Sequence, residues 1–232
     1  RVGIGEGVVR LYLWDPPTIS FGRNQPASGR FDRPAAESSG IAFVRRPTGG
    51  RAVLHDREVT YAAVFPKRAL GSARDAYALI HRGLARGLVR LGVDARVVGP
   101  EEGQVLPPDA GPCFRAPAPG ELVVGGRKVV GSAQVRIGDG LLQHGSILVG
   151  GSQDRLAELG DDGEAGDARP VTLQELLGQP PGIGEVMEAV RFGLESELGG
   201  TWREEGYTRE ELADADELVP RFQVRQQRRR PR

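Results

Sequence analysis

The 232-residue sequence has a single cysteine, no net charge and no long apolar run. One cysteine cannot form an internal disulfide, and it excludes a zinc site built from several cysteines. Because 31 basic side chains balance 31 acidic ones, non-specific binding of nucleic acid over the whole surface is not expected. No apolar run reaches the roughly 18 residues of a membrane-spanning helix, and no basic-then-apolar signal segment opens the sequence. We therefore expect a cytoplasmic protein without a membrane partner.

Turn-forming residues are abundant instead, with 34 glycines and 17 prolines. Strand patterns separated by turn residues fill most of the first two thirds of the sequence, and helical periodicity dominates the last third. This order indicates an α+β domain built in two layers, not a chain of alternating βαβ units. The length suits a single domain over residues 1–232.

The predicted elements end at clear local signals, such as the glycine pair at 125–126. We predict strands at Val8–Trp14, Thr18–Phe21, Ile41–Arg45, Val59–Phe65, Glu121–Val124, Arg127–Ile137 and Leu141–Val149. The clearest helix begins after Ser72, where Asp75 completes an acidic variant of the capping box, and it ends at Gly92.

The remaining third of the sequence predicts helices over residues 171–219. Its signals are the periodic segment Ile183–Leu198 and two capping pairs, Thr172 with Glu175 and Thr208 with Glu211. Loops are predicted at Gly22–Ser39 and Gly99–Pro119, with a flexible acidic loop at 151–170. The arginines of 225–232 predict a solvated basic tail, for which a nucleic-acid patch is the alternative.

Three glycine-rich segments concentrate the polar residues that could carry chemistry. In the segment 45–56 (RRPTGGRAVLHD), the pair Gly49-Gly50 lets the backbone approach a ligand closely. Arg46 and Arg51 offer positive charge to an anion. Taken alone, two glycines between arginines are also typical of an ordinary hairpin.

The other two segments contain a possible nucleophile and a possible activating cation. Cys113 lies in a proline-rich loop, which favours exposure over the usual burial of a lone cysteine. A reactive thiol needs a nearby cation that favours the thiolate, and Lys128 in GRKVVGSAQ (126–134) is a candidate. An ordinary surface lysine is the alternative. His144 is either part of a site or a hydrogen-bonded structural histidine.

The segments occur together and in one order: RRPTGGRAVLHD, then CF followed by GRKVVGSAQ, then LLQHGSIL. In this combination the sequence resembles the lipoate–protein ligase and octanoyltransferase superfamily, whose catalytic domain is related to that of biotin protein ligases. The resemblance runs from about Leu11 to Val149 and implies a mixed, largely antiparallel sheet packed with helices. Members usually carry a helix before the first strand, and RVGIGEGVV at 1–9 does not predict one.

Within the superfamily, the sequence is most similar to the cysteine-dependent octanoyl-acyl carrier protein:protein N-octanoyltransferases. ATP-using lipoate ligases usually carry a third glycine where this chain has Arg51, and they lack a cysteine nucleophile. The resemblance implies that Cys113 is the nucleophile and that Lys128 lowers the pKa of its thiol. It also implies a set of substrate-binding residues: Arg46, Gly49, Gly50, Arg51, His55, Ser132, Ala133, Gln134, His144 and Gly145.

The reaction implied by the resemblance moves an octanoyl group from octanoyl-acyl carrier protein, through a thioester on Cys113, to a lysine of a lipoyl-accepting protein. The glycine-cleavage H protein or another lipoyl domain is the expected acceptor, and no cofactor is required. Three alternatives stay open. They are a lipoate or octanoate ligase that uses ATP and Mg²⁺, an octanoyl amidotransferase between lipoyl carrier proteins, and a non-catalytic module that binds carrier domains or nucleic acid.

Overall fold

A computed structural model describes residues 6–27, 31–99, 101–102, 118–160 and 169–224. Nine strands lie within these ranges: β1 (Val8–Tyr12), β2 (Thr18–Phe21), β3 (Ala42–Arg45), β4 (Val53–His55), β5 (Glu58–Pro66), β6 (Arg96–Val97), β7 (Leu122–Val124), β8 (Arg127–Ile137) and β9 (Gly140–Leu148). The same ranges contain six helices: α1 (Arg33–Ser38), α2 (Ala73–Arg90), α3 (Arg155–Glu158), α4 (Leu173–Leu177), α5 (Ile183–Leu198) and α6 (Arg209–Phe222).

The larger of two sheets has six antiparallel strands in the order β1-β5-β9-β8-β7-β6. Its centre consists of the long strands β5, β9 and β8. β5 and β9 pair from Glu58 opposite Leu148 to Pro66 opposite Gly140. The turn from β7 to β8 uses the predicted glycine pair at 125–126, both with positive φ, as a two-residue hairpin turn requires.

The smaller sheet has three strands in the order β3-β2-β4. β2 runs parallel to β3 and antiparallel to β4, with Thr18 opposite His55. The predicted α+β class is confirmed. The parallel pair expected within one mixed sheet lies in this separate small sheet instead.

The main apolar core lies between the larger sheet and the helices α2 and α5. Side chains of α2 such as Ile80, Leu84 and Leu88 are fully buried against it. The helix begins as predicted, because Ser72 Oγ accepts from the Asp75 amide and the Asp75 carboxylate accepts from the Ser72 amide. Local capping and apolar periodicity therefore place α2 on the sheet.

Helices α2 and α5 approach each other closely at three glycines. A β-carbon on Gly193 would lie 2.1 Å from the carbonyl oxygen of Gly83 and 2.5 Å from the backbone nitrogen of Gly87. These atoms belong to the backbone, so they cannot rotate aside as a side chain can. The three glycines set the separation of the two helices.

A second, smaller core forms around the three-stranded sheet. Ile19, Phe21 and Leu54 of this sheet pack with Ala36 of α1 and Leu156 of α3. Each of the two short helices thus contributes a buried apolar residue, and both helices depend on tertiary contact.

Several predicted boundaries are confirmed, and some are wrong. β2 and α5 have the predicted bounds, and α6 extends to Phe222 beyond the predicted helical part 171–219. The predicted loop 22–39 contains α1, which Asp32 caps. Residues 155–158 of the predicted flexible loop 151–170 form α3, because Leu156 is buried there. The three-residue strand β4 was not predicted, since so short a segment shows no periodicity.

Other predictions fall outside the described residues. These are the conformation of residues 1–5 ahead of β1, most of the predicted loop around Cys113, the segment 161–168 and the basic tail 225–232. None of the helices in the described ranges combines the length and apolar character that a membrane span needs.

Candidate active site

Residues 46–51 form a glycine loop between β3 and β4 that is supported from inside by Arg46. The guanidinium donates hydrogen bonds to the carbonyl oxygens of Ser20 at 2.9 Å, Gly49 at 3.1 Å and Arg51 at 2.6 Å. Arg46 is 9% exposed, and Arg51 is similarly buried. The sequence predicts that these arginines face an anion, whereas the contacts of Arg46 direct its charge at the backbone of its own loop.

The glycine loop also touches the end of β2. A β-carbon on Gly22 would lie 1.9 Å from the carbonyl oxygen of Gly50, so the two backbones are in direct contact. Gly50 has a φ of 91°, in the left-handed region that glycine adopts without strain. At Gly49, by contrast, no heavy atom of the described residues lies within 4 Å of the β-carbon position. Among the described residues, nothing therefore blocks the close approach of a ligand to the backbone of Gly49.

His55 belongs to a buried series of polar side chains between the two sheets, which we call the polar row: Glu58, His55, Ser20 and Arg46. His55 Nδ1 lies 2.8 Å from Glu58 Oε1, and Nε2 lies 2.7 Å from Ser20 Oγ. A carboxylate only accepts hydrogen bonds, so Nδ1 carries the proton, and Nε2 of a neutral ring then accepts from the Ser20 hydroxyl. Ser20 Oγ in turn accepts from Arg46 at 3.0 Å.

Further contacts hold the first members of the polar row in place. The Thr60 hydroxyl donates to Glu58 Oε1 at 2.6 Å and accepts from Trp14 Nε1 at 2.8 Å. The Trp14 ring stacks on the His55 ring with a centroid separation of 4.3 Å. Glu58 Oε2 is buried and has no hydrogen-bond partner among the described residues. Only one oxygen of this carboxylate is therefore used by the groups around it.

His144 connects β9 of the larger sheet to the glycine loop. Its Nε2 lies 2.6 Å from the hydroxyl oxygen of Thr48. Burial, together with the nearby positive charge of Arg46, lowers the pKa of His144 to about 3. The ring is therefore neutral at physiological pH, and it acts there as a hydrogen-bonding group, not as a cation.

Lys128, at the start of β8, is buried with a carboxylate partner. It is 2% exposed, and its Nζ donates to Glu121 Oε1 at 2.6 Å. The other Glu121 oxygen accepts from the backbone amide of Ala118 at 2.8 Å. This burial excludes the alternative of an ordinary surface lysine. Cys113 lies outside the described residues, so its pairing with Lys128 stays a prediction.

A second polar cluster lies on the face of the larger sheet that α2 covers. Ser132 Oγ is 2.7 Å from the Tyr61 hydroxyl and 3.0 Å from Nε2 of His81. His81 Nδ1 lies 2.9 Å from the carbonyl oxygen of Tyr77 and must donate to it, so Nε2 accepts the Ser132 proton. Tyr61 then donates to Ser132. The hydroxyl proton of Ser132 is thus directed toward the helix.

Burial dominates the acid–base properties of this second cluster. It lowers the pKa of His81 to about 4, an effect that the hydrogen bond to Tyr77 opposes and the positive charge of Lys128 reinforces. It raises the pKa of Tyr61 to about 12, an effect that the hydrogen bonds with Ser132 and Gln143 oppose. Both side chains are therefore uncharged at neutral pH.

Two glutamines extend the second cluster along the sheet. Gln134 Nε2 donates to Gln143 Oε1 at 3.1 Å and to the carbonyl oxygen of Ala73 at 3.0 Å. Gln143 Nε2 donates to the Tyr61 hydroxyl at 3.0 Å. The predicted site residue Gln134 therefore fastens the start of α2 to β8.

The sheet divides the predicted site residues between its two faces. Ser132 and Gln134 contact α2, whereas His144 contacts the glycine loop on the opposite face. Ala133 pairs with His144, and Gly145 pairs with Ser132. The structure brings the glycine loop, His55 and His144 together, and it places Ser132 and Gln134 in a separate cluster.

Sequence reasoning missed four polar residues with central positions: Glu58, Tyr61, His81 and Glu121. A signal existed for two of them. His81 is a lone imidazole beside the apolar face of a predicted helix, and Glu121 lies across the predicted hairpin turn from Lys128. The roles of Glu58 and Tyr61 depend on strand pairing, which the sequence does not display.

A cavity of about 310 Å³ lies near the end of β9 and the start of β8. It is lined in part by the glycine pair at 150–151 and by the ion pairs Arg127–Glu175 and Arg169–Asp154. None of the predicted site residues within the described ranges lines it.

The antiparallel sheet covered by two helices and flanked by a glycine loop is the fold of lipoate protein ligases. A lipoate-protein ligase A bound with ATP superposes with a TM-score of 0.73 and 22% identity, covering 92% of this chain and 81% of that chain. A bipartite lipoate protein ligase of Thermoplasma acidophilum superposes with a TM-score of 0.69 and 23% identity, covering 92% and 79%.

The family described as lipoyl protein ligase A/B catalytic domain matches residues 2–195, and the chain belongs to this family. The octanoyltransferase LipM of Kyrpidia tusciae is 41% identical over 235 residues, covering 92% of this chain and 84% of that protein. The octanoyltransferase LipM of Brevibacillus brevis is 37% identical over 227 residues, covering 91% and 82%. The predicted superfamily and fold are confirmed.

Proposed function

We propose that the chain is an octanoyltransferase of protein lipoylation that works through a thioester on Cys113. Relatives that span most of the chain are named octanoyltransferases, in agreement with the branch predicted from the sequence. The observation that carries the proposed mechanism is the burial of Lys128 with Glu121. A cation close to a cysteine favours the thiolate, and the proposal assigns this role to Lys128 with respect to Cys113.

The connection from Lys128 toward Cys113 runs through Glu121. This carboxylate binds Lys128 Nζ with one oxygen and the amide of Ala118 with the other. Cys113 precedes Ala118 by five residues, and five residues reach at most about 18 Å. Ala118, the first described residue after Cys113, is thus bound to the carboxylate that holds the lysine.

In the first step, the Cys113 thiolate attacks the carbonyl carbon of an octanoyl thioester. The new carbon–sulfur bond forms at Cys113, the bond to the donor sulfur breaks, and the donor leaves as a thiol after protonation. In the second step, the neutral amine of a target lysine attacks the Cys113 thioester. A carbon–nitrogen bond forms, Cys113 leaves as a thiolate, and the amine releases one proton. Lys128 stabilises the thiolate in both steps.

The donor in this proposal is octanoyl-acyl carrier protein, and the acceptor is the glycine-cleavage H protein or another lipoyl domain. Because the acyl group is already activated as a thioester, the route consumes no ATP and uses no cofactor. The open backbone at Gly49 allows close approach of the acyl carbonyl. His144 contacts Thr48 of the glycine loop, and His55 is connected to the loop through Ser20 and Arg46.

The test is intact-mass analysis after incubation with octanoyl-acyl carrier protein. One octanoyl group is expected on wild-type protein and none on Cys113→Ala, and the single cysteine makes the assignment unambiguous. Transfer to a lipoyl domain is expected without ATP. Wild-type transfer rates in Cys113→Ala would contradict the mechanism, and a strict ATP requirement would favour the ligase alternative. A faster reaction with an octanoylated lipoyl carrier as donor would favour the amidotransferase.

The role of Lys128 is tested by alkylation of the same cysteine. In Lys128→Ala, iodoacetamide is expected to react with Cys113 about tenfold more slowly at pH 7, because the thiol pKa returns toward its ordinary value of about 8.5. The control is Lys67→Ala, which removes the chain's other lysine from an exposed ion pair with Asp139. Equal alkylation rates in wild type and Lys128→Ala would remove the proposed electrostatic role.

A further inference from the structure

We propose that the polar row (Glu58, His55, Ser20 and Arg46) is a positioning device that holds the glycine loop in the conformation the acyl substrate meets. The inference rests on the proposed function, in which that loop approaches the acyl carbonyl. It assigns a role to Glu58 and Ser20, two residues outside the predicted site.

The hydrogen bonds of the polar row can all be formed with one arrangement of protons. His55 donates to Glu58, Ser20 donates to His55, and Arg46 donates to Ser20. Any other ring tautomer would place an N–H against Ser20 Oγ and leave the Glu58 carboxylate without a donor from His55. The carboxylate therefore sets the orientation of the Ser20 hydroxyl, which in turn offers a lone pair to Arg46.

Arg46 connects the orientation of the Ser20 hydroxyl to the conformation of the glycine loop. One of its terminal nitrogens binds Ser20 through both Oγ and the backbone oxygen, and the other binds the carbonyl oxygens of Gly49 and Arg51. The guanidinium is rigid and planar, so fixing one nitrogen fixes the position of the other. The two carbonyl groups that flank Gly50 are thereby held in place.

Burial makes the row sensitive to loss of any member. Glu58 is 3% exposed and Ser20 is 1% exposed, so water cannot readily replace a missing partner. The row also bridges the two sheets, since Glu58 lies on β5 and Ser20 on β2. The row thus fixes the position of the glycine loop relative to the larger sheet, on which His144 and Lys128 lie.

The test compares two matched deletions of a buried hydroxyl. Ser20→Ala breaks the row and leaves the bond from Arg46 to the Ser20 carbonyl oxygen intact. Ser146→Ala removes a similarly buried hydroxyl, which lies 3.3 Å from His55 Nδ1 and is not a member of the row. Amide hydrogen exchange of a peptide covering 46–51 is expected to quicken about tenfold in Ser20→Ala and to stay near wild type in Ser146→Ala.

Kinetics supply the second readout. In Ser20→Ala, KM for octanoyl-acyl carrier protein is expected to rise about tenfold, while kcat changes less than about twofold. Alkylation of Cys113 stays at the wild-type rate, because Lys128 and Glu121 are untouched. Equal rates of amide hydrogen exchange over 46–51 in Ser20→Ala and Ser146→Ala overturn the inference, whatever the transferase activity of the two variants. If the wild type transfers no octanoyl group, the proposed function fails and the exchange comparison still decides the role of the row.

A conservative pair of variants at Glu58 completes the test. Glu58→Gln keeps an oxygen that accepts from His55 and Thr60, and its amide nitrogen replaces the oxygen that has no partner among the described residues. The rate of amide hydrogen exchange over 46–51 is expected to stay within about threefold of wild type in Glu58→Gln and to rise about tenfold in Glu58→Ala. Exchange in Glu58→Gln as fast as in Glu58→Ala overturns the assigned role.

Discussion

The two buried histidines predict a loss of stability in mildly acidic solution. The pKa of His81 is about 4 and that of His144 about 3 in the folded chain, against 6.5 for an ordinary histidine. Both bind a proton more weakly when folded than when unfolded, so acid favours the unfolded state. The stabilisation is complete above pH 6.5 and is lost as the pH falls toward the folded values. Between pH 7 and pH 4.5, each histidine should cost about 2 kcal/mol of the free energy of unfolding.

Urea unfolding at pH 7 and pH 4.5 measures this effect. His81→Gln removes one titrating group and keeps a polar side chain. The free energy of unfolding that this variant loses between pH 7 and pH 4.5 should therefore be about 2 kcal/mol smaller than in wild type. His144→Gln, on the opposite face of the sheet, should give a similar reduction. Ring signals in NMR should show both histidines neutral at pH 5. The reasoning would be refuted if the free energy of unfolding of His81→Gln depended on pH as strongly as that of wild type, or if the His81 ring were charged at pH 5.

Packing and ion-pair burial give two further predictions. Gly193→Ala should lower the free energy of unfolding by about 1–3 kcal/mol, because its β-carbon meets backbone atoms of α2, whereas Gly184→Ala in the same helix meets open space and should be neutral or stabilising. Equal urea midpoints for these two variants would contradict the packing argument. Glu121→Gln should cost about 3 kcal/mol, since it removes the charge paired with buried Lys128. Glu102→Gln, in an exposed pair of the same 2.6 Å length, should cost less than about 1 kcal/mol in thermal unfolding, and comparable losses would argue against burial as the cause.

The elements that could be predicted from the sequence are those with strong local signals. Helix α5 has regular apolar periodicity, and α2 has a capping box at Ser72, so the pattern alone places both. Helix α3 consists of four residues and is held by the buried Leu156, a contact made across the fold. No local sequence pattern predicts a helix this short. Its prediction as a flexible loop was wrong for that reason.

The candidate site likewise has parts with a local sequence signal and parts that depend on contacts across the fold. The glycine loop and Lys128 stand out as glycine-rich motifs, and the family resemblance joined them correctly to one fold. The polar partners depend on register: Thr18 lies opposite His55, and this pairing brings the polar row together. Neighbouring residues of β8 and β9 also point to opposite faces of the sheet. Motifs that are continuous in sequence are therefore split between two environments in space.

The backbone contact between α2 and α5 has a consequence for how the protein can move. Where the helices touch at Gly193, the backbone atoms of Gly83 and Gly87 leave no room for even one added methyl group. We expect the pair to behave as a single rigid plate behind the larger sheet, carrying His81 with it. Substitutions that loosen the plate should change stability first, and those that loosen the glycine loop should change substrate selection first.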